Sequence, residues 1–347
     1  MNQAPKDPPD TAPVIEDASS GHWVYRAPNG LRPYLQLSRL DRPVGYWLLT
    51  LPGWIGLAFA ALSARAIGSG IGGGFSGVDL KWATLILIGA VAMRGAGCTY
   101  NDIVDQDLDK QVKRTALRPL PAGAVSTAQA WIWLMVQCGI GLIVLLCLPR
   151  PAQIISLCSL PLVAAYPFMK RITWWPQLWL GLTFNWALLV AYAAKTGAIN
   201  GPLLLLYVGL AFWTVGYDTI YACQDTRDDA LIGVKSTARR FGRHVLRGIF
   251  IFYAASALCI GAAVLWALAR VNTAAVLAFW PLLLVGPAAF LMHLLWQVRR
   301  FKSEAGTTAL SLFISNIWAA ALLIAGFSLT AFAIHGKLFS ALALNNP

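Results

Sequence analysis

Acidic residues are scarce in this chain. Its 347 residues include only 15 Asp and Glu against 27 Lys and Arg, and charged residues make up 12% of it. Soluble domains carry about twice that charged fraction, so a soluble fold and a disordered chain are both excluded for the bulk of the sequence. Cysteine is limited to positions 98, 138, 147, 158, 223 and 259, with no CxxC pair. That excludes a disulfide-stapled secreted fold and leaves the cysteines as small apolar residues of a helix bundle. The four histidines, at 22, 244, 293 and 335, are scattered, which argues against zinc. No GxxxxGK[ST] loop is present, which argues against a nucleotide-hydrolysing P-loop. No ten-residue segments alternate with period two, which argues against a membrane β-barrel. Residues 1–30 lack an apolar core and are not rich in Arg, unlike a signal or transit peptide.

What the chain does have is apolar length, with 58% of its residues hydrophobic. Runs able to cross about 30 Å of hydrocarbon recur, near 44–63, 82–101, 128–148, 152–168, 177–195, 202–222, 246–268, 274–296 and 309–334. Internal satisfaction of backbone polar groups makes such runs helices. The expected fold is an all-α integral membrane protein of nine transmembrane helices (residues 33–340) behind a flexible cytoplasmic tail (1–32). Pro149-Arg150-Pro151 predicts a tight hairpin before the short fourth span, and the glycine-rich stretch 68–77 predicts a loose external loop. Nine spans put 20 of the 27 Lys and Arg on the N-terminal side and 6 on the other, with Arg94 inside a span. The positive-inside rule makes the richer side cytoplasmic. A basic cytoplasmic face is common to such proteins, so it implies no nucleic-acid partner.

Eight of the fifteen acids fall in two short segments, Asp102, Asp105, Asp107 and Asp109, then Asp218, Asp225, Asp228 and Asp229. They close spans two and six, on the same cytoplasmic side. On a helix, Asn101, Asp105 and Asp109 are i+4 neighbours covering about 80° of one face. Asp102 lies at their margin and Asp107 points away. Asp218, Asp225 and Asp229 would stack within about 40° of one another, with Asp228 at the margin. Like charges at this spacing repel, and carboxylates are costly in a membrane. Helix-end acids facing lipid headgroups would be scattered and would include Glu, yet neither cluster holds a Glu. Multivalent cations bridging the strips explain them, and short, hard carboxylates suit Mg²⁺. With Lys110, Lys113, Arg114 and Arg118 beside one strip and Lys235, Arg239 and Arg240 beside the other, the pattern is a receptor for a polyphosphate. At a membrane edge, a diphosphate with a lipid-soluble tail fits.

These residues carry a resemblance. Asn101-x-x-x-Asp105-x-x-x-Asp109, the run KRTALRPLP (Lys113–Pro121), the second motif Asp218, Asp225 and Asp229, and GVKSTA (Gly233–Ala238) are similar to the UbiA-type intramembrane prenyltransferases. RLDRPVGYWLLTLP (Arg39–Pro52) and YPFMKRITWWPQ (Tyr166–Gln177) resemble the 4-hydroxybenzoate polyprenyltransferase branch of ubiquinone synthesis. The resemblance implies nine helices around a central cavity, with a cytoplasmic cap over both motifs. It implies Mg²⁺ held by Asp105, Asp109, Asp225 and Asp229 with Asn101 assisting, and substrates that are a polyprenyl diphosphate and 4-hydroxybenzoate. Arg118, with Lys113, Arg114 and Lys235, would stabilise the departing diphosphate. Asp218 would either stabilise the allylic cation or activate the phenol.

The aromatic carboxylate needs a cation. Arg94 serves it, or is a counter-ion to the aspartates; Lys170 and Arg171 serve it, or are only the positive-inside signal. Tyr166 hydrogen-bonds a substrate, or belongs to the interfacial aromatic belt. Homogentisate-, naphthoate- and haem-prenylating members share the aspartates and remain alternatives. A cation-coupled transporter is disfavoured because spans seven to nine hold no acid. A CDP-alcohol phosphotransferase is disfavoured because its D-G-x-x-A-R signature is missing. The expected location is a bacterial inner membrane.

Overall fold

The computed structural model describes residues 22–63, 74–111, 115–231, 233–269, 273–302 and 306–344. Among them are helices and no strands. In chain order these are α1 (Arg32–Leu37), α2 (Val44–Ser63), α3 (Gly77–Val104), α4 (Gln106–Asp109), α5 (Thr127–Leu146), α6 (Arg150–Cys158), α7 (Leu160–Ile172) and α8 (Pro176–Phe184). Then follow α9 (Trp186–Thr196), α10 (Gly201–Ala222), α11 (Thr226–Leu231), α12 (Thr237–Phe241), α13 (Val245–Leu268), α14 (Thr273–Arg300) and α15 (Gly306–Leu344). Nine stretches among the described residues are long and apolar enough to cross a membrane, one for each expected span. Their outward faces are apolar too: Leu142, Ile143 and Leu146 of α5 and Leu258 and Leu265 of α13 are exposed. Helices apolar on all sides belong in lipid or in a large core.

Two spans are interrupted. Between α6 and α7 the cause is Pro161, which lacks the N–H that would bond the Leu157 carbonyl. Between α8 and α9 it is Asn185, whose Nδ2 donates to the Gly181 carbonyl (2.8 Å) and to Thr214 Oγ1 (2.8 Å). A side chain that competes for the ladder in this way bends a helix. The expected hairpin is present, with α5 ending at Leu146 and Pro149 standing at the N-cap of α6. Residues 1–21 and 64–73 lie outside the described residues, so most of the expected tail and glycine loop do too. Within the tail stretch, Trp23–Arg26 forms a 3₁₀ turn with Val24 fully buried.

The chain divides into two compact units, residues 1–45 with 92–139 and residues 46–91 with 140–347. In the first, Tyr34 and Leu37 pack with Ile103, Leu120, Val125, Ala130 and Trp133. A polar chain runs through the same unit. Trp133 Nε1 donates to Ser38 Oγ (2.8 Å), and Gln137 joins Ser38 (3.1 Å) to Thr99 (3.2 Å). A Cβ on Gly95 would lie 1.9 Å from Gln137 Oε1, so a larger residue there would displace the Gln137 amide from this polar chain.

In the second unit α10 is central, packed by α8, α13 and α15, while α14 pairs with α15. The close helix crossings rely on small residues, as expected in membranes. A Cβ on Gly326 would sit 2.3 Å from Gly286 Cα, and one on Gly216 would enter the Tyr253 ring. Trp213 Nε1 donates to Asn316 Oδ1 (2.8 Å), so the α10–α15 crossing also carries a buried hydrogen bond. At the start of α3, Asp79 forms a buried ion pair with Lys195 of α9 (2.6 Å). Nothing in the local sequence relates those two residues.

Candidate active site

The first motif lies at the end of α3, in the first unit. Its backbone stays nearly helical past Val104: the Asp105 N–H bonds the Asn101 carbonyl (2.9 Å) and the Asp109 N–H bonds the Asp105 carbonyl (2.8 Å). The i, i+4 relation expected of Asn101, Asp105 and Asp109 is therefore present. Burial follows that phase. Asp105 and Asp109 are buried, Asn101 is half-buried, and the Asp107 side chain is 93% exposed beside Lys110.

Asp102 corrects the helical-wheel reading. Expected at the margin, it is 0% exposed. Arg39 Nη2 donates to both of its oxygens, at 2.6 and 2.9 Å, and Arg118 Nη1 approaches Oδ1 at 3.3 Å. The same Arg118 nitrogen donates to Asp109 Oδ2 at 2.8 Å. Arg118 is placed by its own N–H on the Thr115 carbonyl, while the Thr115 hydroxyl caps the Asp109 carbonyl (2.8 Å). Lys113 and Arg114, expected to bind diphosphate, lie outside the described residues.

Arg39 is the residue that sequence reasoning passed over. It is the one described non-glycine residue with positive φ (55°), a conformation that costs about 1–2 kcal/mol. Burial disfavours its charge, but Asp102 together with Cys98 and Asp41 offsets that and holds its pKa above the ordinary arginine value. Its neighbour Asp41 is 2% exposed, with Arg42 Nε 3.7 Å away and no hydrogen bond to either oxygen among the described residues. Burial pushes that carboxyl up, against the pull of Arg42, Arg39 and His22. Arg94 is half-buried on α3, and its guanidinium lies against Gly45, where a Cβ would meet Nε at 2.8 Å.

The second motif, in the second unit, departs from the expected single helix. α10 ends at Ala222 with Cys223 as its C-cap, and α11 begins at Thr226. Asp218 therefore sits on α10, while Asp225 and Asp229 belong to the next turn, joined by an N–H to carbonyl bond of 2.8 Å. The stacking of all three on one wheel does not carry across the break. All three are half-buried.

Among the described residues, the hydrogen bonds of the segment that follows end on neutral acceptors. The Lys235 N–H bonds the Lys170 carbonyl (2.9 Å), Lys235 Nζ the Ile172 carbonyl (3.1 Å), and the Thr237 N–H Gln177 Oε1 (3.0 Å). Thr237 and Thr219 share a hydroxyl bond, and Arg239 donates to the Asp229 carbonyl (3.1 Å). The two stretches YPFMKRITWWPQ and GVKSTA, distant in sequence, thus meet. Lys170 and Tyr166 are half-buried on α7 and Arg171 is exposed. The Lys235 ammonium caps α7, which leaves two of its three protons for another acceptor.

The donor set fits Mg²⁺. Asp105 and Asp109 are hard carboxylates one helical turn apart, and a guanidinium sits on Asp109 where a cation would be needed. Among the described residues no three Asp, Glu, His or Cys side chains form a ready-made cage. Mg²⁺ does not require one, since it keeps waters and takes ligands from substrate phosphates.

The chain matches the UbiA prenyltransferase family over residues 66–320. It is 48% identical over 229 residues to the mitochondrial 4-hydroxybenzoate polyprenyltransferase of Homo sapiens, covering 65% of this chain and 58% of that protein. To the Arabidopsis thaliana protein of the same name it is 38% identical over 315 residues, covering 90% of this chain and 72% of that one. In the Aedes aegypti protein, 50% identical, the match spans 45% of the length, so the chain spans about half the length of several of these relatives. A UbiA homologue from Aeropyrum pernix K1, in its apo form, superposes with a TM-score of 0.64 at 24% identity, covering 82% of this chain and 97% of that one. A homologue from Archaeoglobus fulgidus bound to GPP and Mg²⁺ gives 0.61 at 18% identity, covering 88% and 99%. At those identities the structures establish the fold alone. Relatives named as mitochondrial lend no support to the expected bacterial inner membrane; a multi-pass membrane protein is what the apolar helices establish. In sequence and in fold, this chain belongs to the UbiA prenyltransferase family.

Proposed function

We propose that the chain is a Mg²⁺-dependent 4-hydroxybenzoate polyprenyltransferase of ubiquinone biosynthesis. It would move a polyprenyl group from polyprenyl diphosphate to the ring carbon ortho to the hydroxyl, giving 3-polyprenyl-4-hydroxybenzoate and diphosphate. The observation that carries this is the part-buried contact of Arg118 with Asp109 of the first motif (2.8 Å), in a chain 48% identical to a protein of that name. The N-terminus and both motifs are assigned to the cytoplasmic side on the distribution of Lys and Arg.

In this reading the bond between the allylic carbon and the diphosphate oxygen breaks, and the electron pair leaves with diphosphate. A ring carbon of the phenol supplies the pair for the new bond and then loses its proton. Asp105, Asp109, Asp225 and Asp229, with Asn101, would hold Mg²⁺, which when bound neutralises charge developing on the leaving group. Arg118 would offer preorganised donors to the departing diphosphate, and Lys113, Arg114 and Lys235 are assigned the same role, the kind of effect that usually dominates such sites. Exclusion of water protects the allylic cation from capture as an alcohol. Asp218 stabilises that cation or takes the phenol proton. Arg94, with Lys170, Arg171 and Tyr166, is assigned to the aromatic acid.

The test is direct. Purified protein in lipid should join 4-hydroxybenzoate to a polyprenyl diphosphate only with Mg²⁺ present, and Asp105→Asn or Asp229→Asn should lose at least about a hundredfold in kcat/KM. Activity that survives chelation overturns the metal assignment, and preference for homogentisate or dihydroxynaphthoate overturns the acceptor.

A further inference from the structure

Asp102 has no part in the metal chemistry proposed above, yet it is fully buried. A carboxylate withdrawn from water persists only when paired. Arg39 pairs it through both oxygens, and Arg39 is itself fixed by Nη1 on the Gln36 carbonyl (3.0 Å). Arg118 then brings one nitrogen to two carboxylates, 2.8 Å from Asp109 and 3.3 Å from Asp102. Its Nε is buried with no acceptor among the described residues.

We propose that Asp102 is a positioning residue. Anchored by Arg39, it offers Arg118 a second carboxylate, so that Arg118 covers Asp109 in the metal-free protein and yields it to a divalent cation without leaving the site. This rests on the metal-dependent transfer proposed above. Arg118 and the cation compete for the same oxygen of Asp109. Because Arg118 can close on Asp102 as it releases Asp109, the exchange is nearly neutral, and Nε–H stays available for a diphosphate oxygen. With Asp102 uncharged, Arg118 has only Asp109, and the cation must break an ion pair to enter. Arg39 sets the balance, because it takes up part of the Asp102 charge and keeps Asp102 from drawing Arg118 off completely.

The experiment titrates the purified, metal-free, full-length protein with Mn²⁺, following free Mn²⁺ by EPR with no substrate present. Asp102→Asn should weaken Mn²⁺ binding by about tenfold, the scale of a close charge pair. Arg118→Gln should tighten it, and the double variant should bind as Arg118→Gln does, since Asp102 acts only through Arg118. Arg39→Gln should tighten binding as well, by letting Asp102 draw Arg118 away. Equal weakening by Asp102→Asn with and without Arg118, or no weakening at all, would falsify the relay. If Asp102→Asn fails to fold by thermal melt, the other two single variants decide, and either one failing to tighten binding overturns the proposal. Wild-type protein that binds no Mn²⁺ refutes the metal-dependent reading itself, a separate result from wild-type binding that Asp102→Asn leaves untouched.

Discussion

The two aspartate motifs differ in burial and in the backbone that carries them. In the first, three buried carboxylates sit on nearly continuous helix, and two arginines answer them directly, Arg39 on Asp102 and Arg118 on both Asp102 and Asp109. In the second, the helix stops at Ala222 and the acids are half-buried. The turn there is held by backbone carbonyls, threonine hydroxyls and a glutamine, and Arg239 donates to the main-chain carbonyl of Asp229. Arginine side chains thus bear directly on two of the three buried carboxylates of the first motif. The carboxylates of the second lie nearer to water.

The sharpest way to break that contrast is at the arginines. Arg39→Met leaves Asp102 buried without its main partner and should cost about 3–5 kcal/mol, read as a large fall in Tm in detergent. Arg239→Met removes bonds to carbonyls rather than to a buried carboxylate, so about 2 kcal/mol is expected. Equal losses would erase the distinction. Thr237→Val, which removes the hydroxyl pair with Thr219, should cost about 1 kcal/mol, with little effect on metal affinity.

Asp41 gives a smaller effect with a definite sign. Its folded pKa is raised, so its contribution favours the native state below the ordinary carboxylate value of 3.8 and is lost as pH rises through the folded pKa. Asp41→Asn should therefore raise Tm at neutral pH, with the gain shrinking toward zero in acid. A Tm gain that is flat with pH argues against the buried-charge cause. The smallest effect belongs to Asp107→Asn, where an exposed side chain meets Lys110 among the described residues; activity within about twofold and an unchanged Tm are expected.

The sequence made most of the architecture legible because membrane length is read from composition, and all nine spans lie where apolar runs put them. Phase was legible for the first motif, where i→i−4 bonds continue through Asp109. It misleads at the second, because neither Gly nor Pro announces the stop at Cys223 and a helical wheel runs straight through the break. Pro161 announces the bend before α7, whereas the Asn185 side chain divides its bonds between its own ladder at Gly181 and Thr214 on another helix. Pairings such as Arg39 with Asp102, or Asp79 with Lys195, join residues 63 and 116 positions apart. Local pattern holds no information about such distances.

Gly45 turns a missing carbon into a handle on charge placement. A Cβ here would lie 2.8 Å from Nε of the Arg94 guanidinium, closer than such contacts normally come. Gly45→Ala adds one methyl and no charge, and the far end of a flexible side chain is what must give way. That single substitution is a steric dial for the position of one positive charge, and it separates where Arg94 points from whether Arg94 is there.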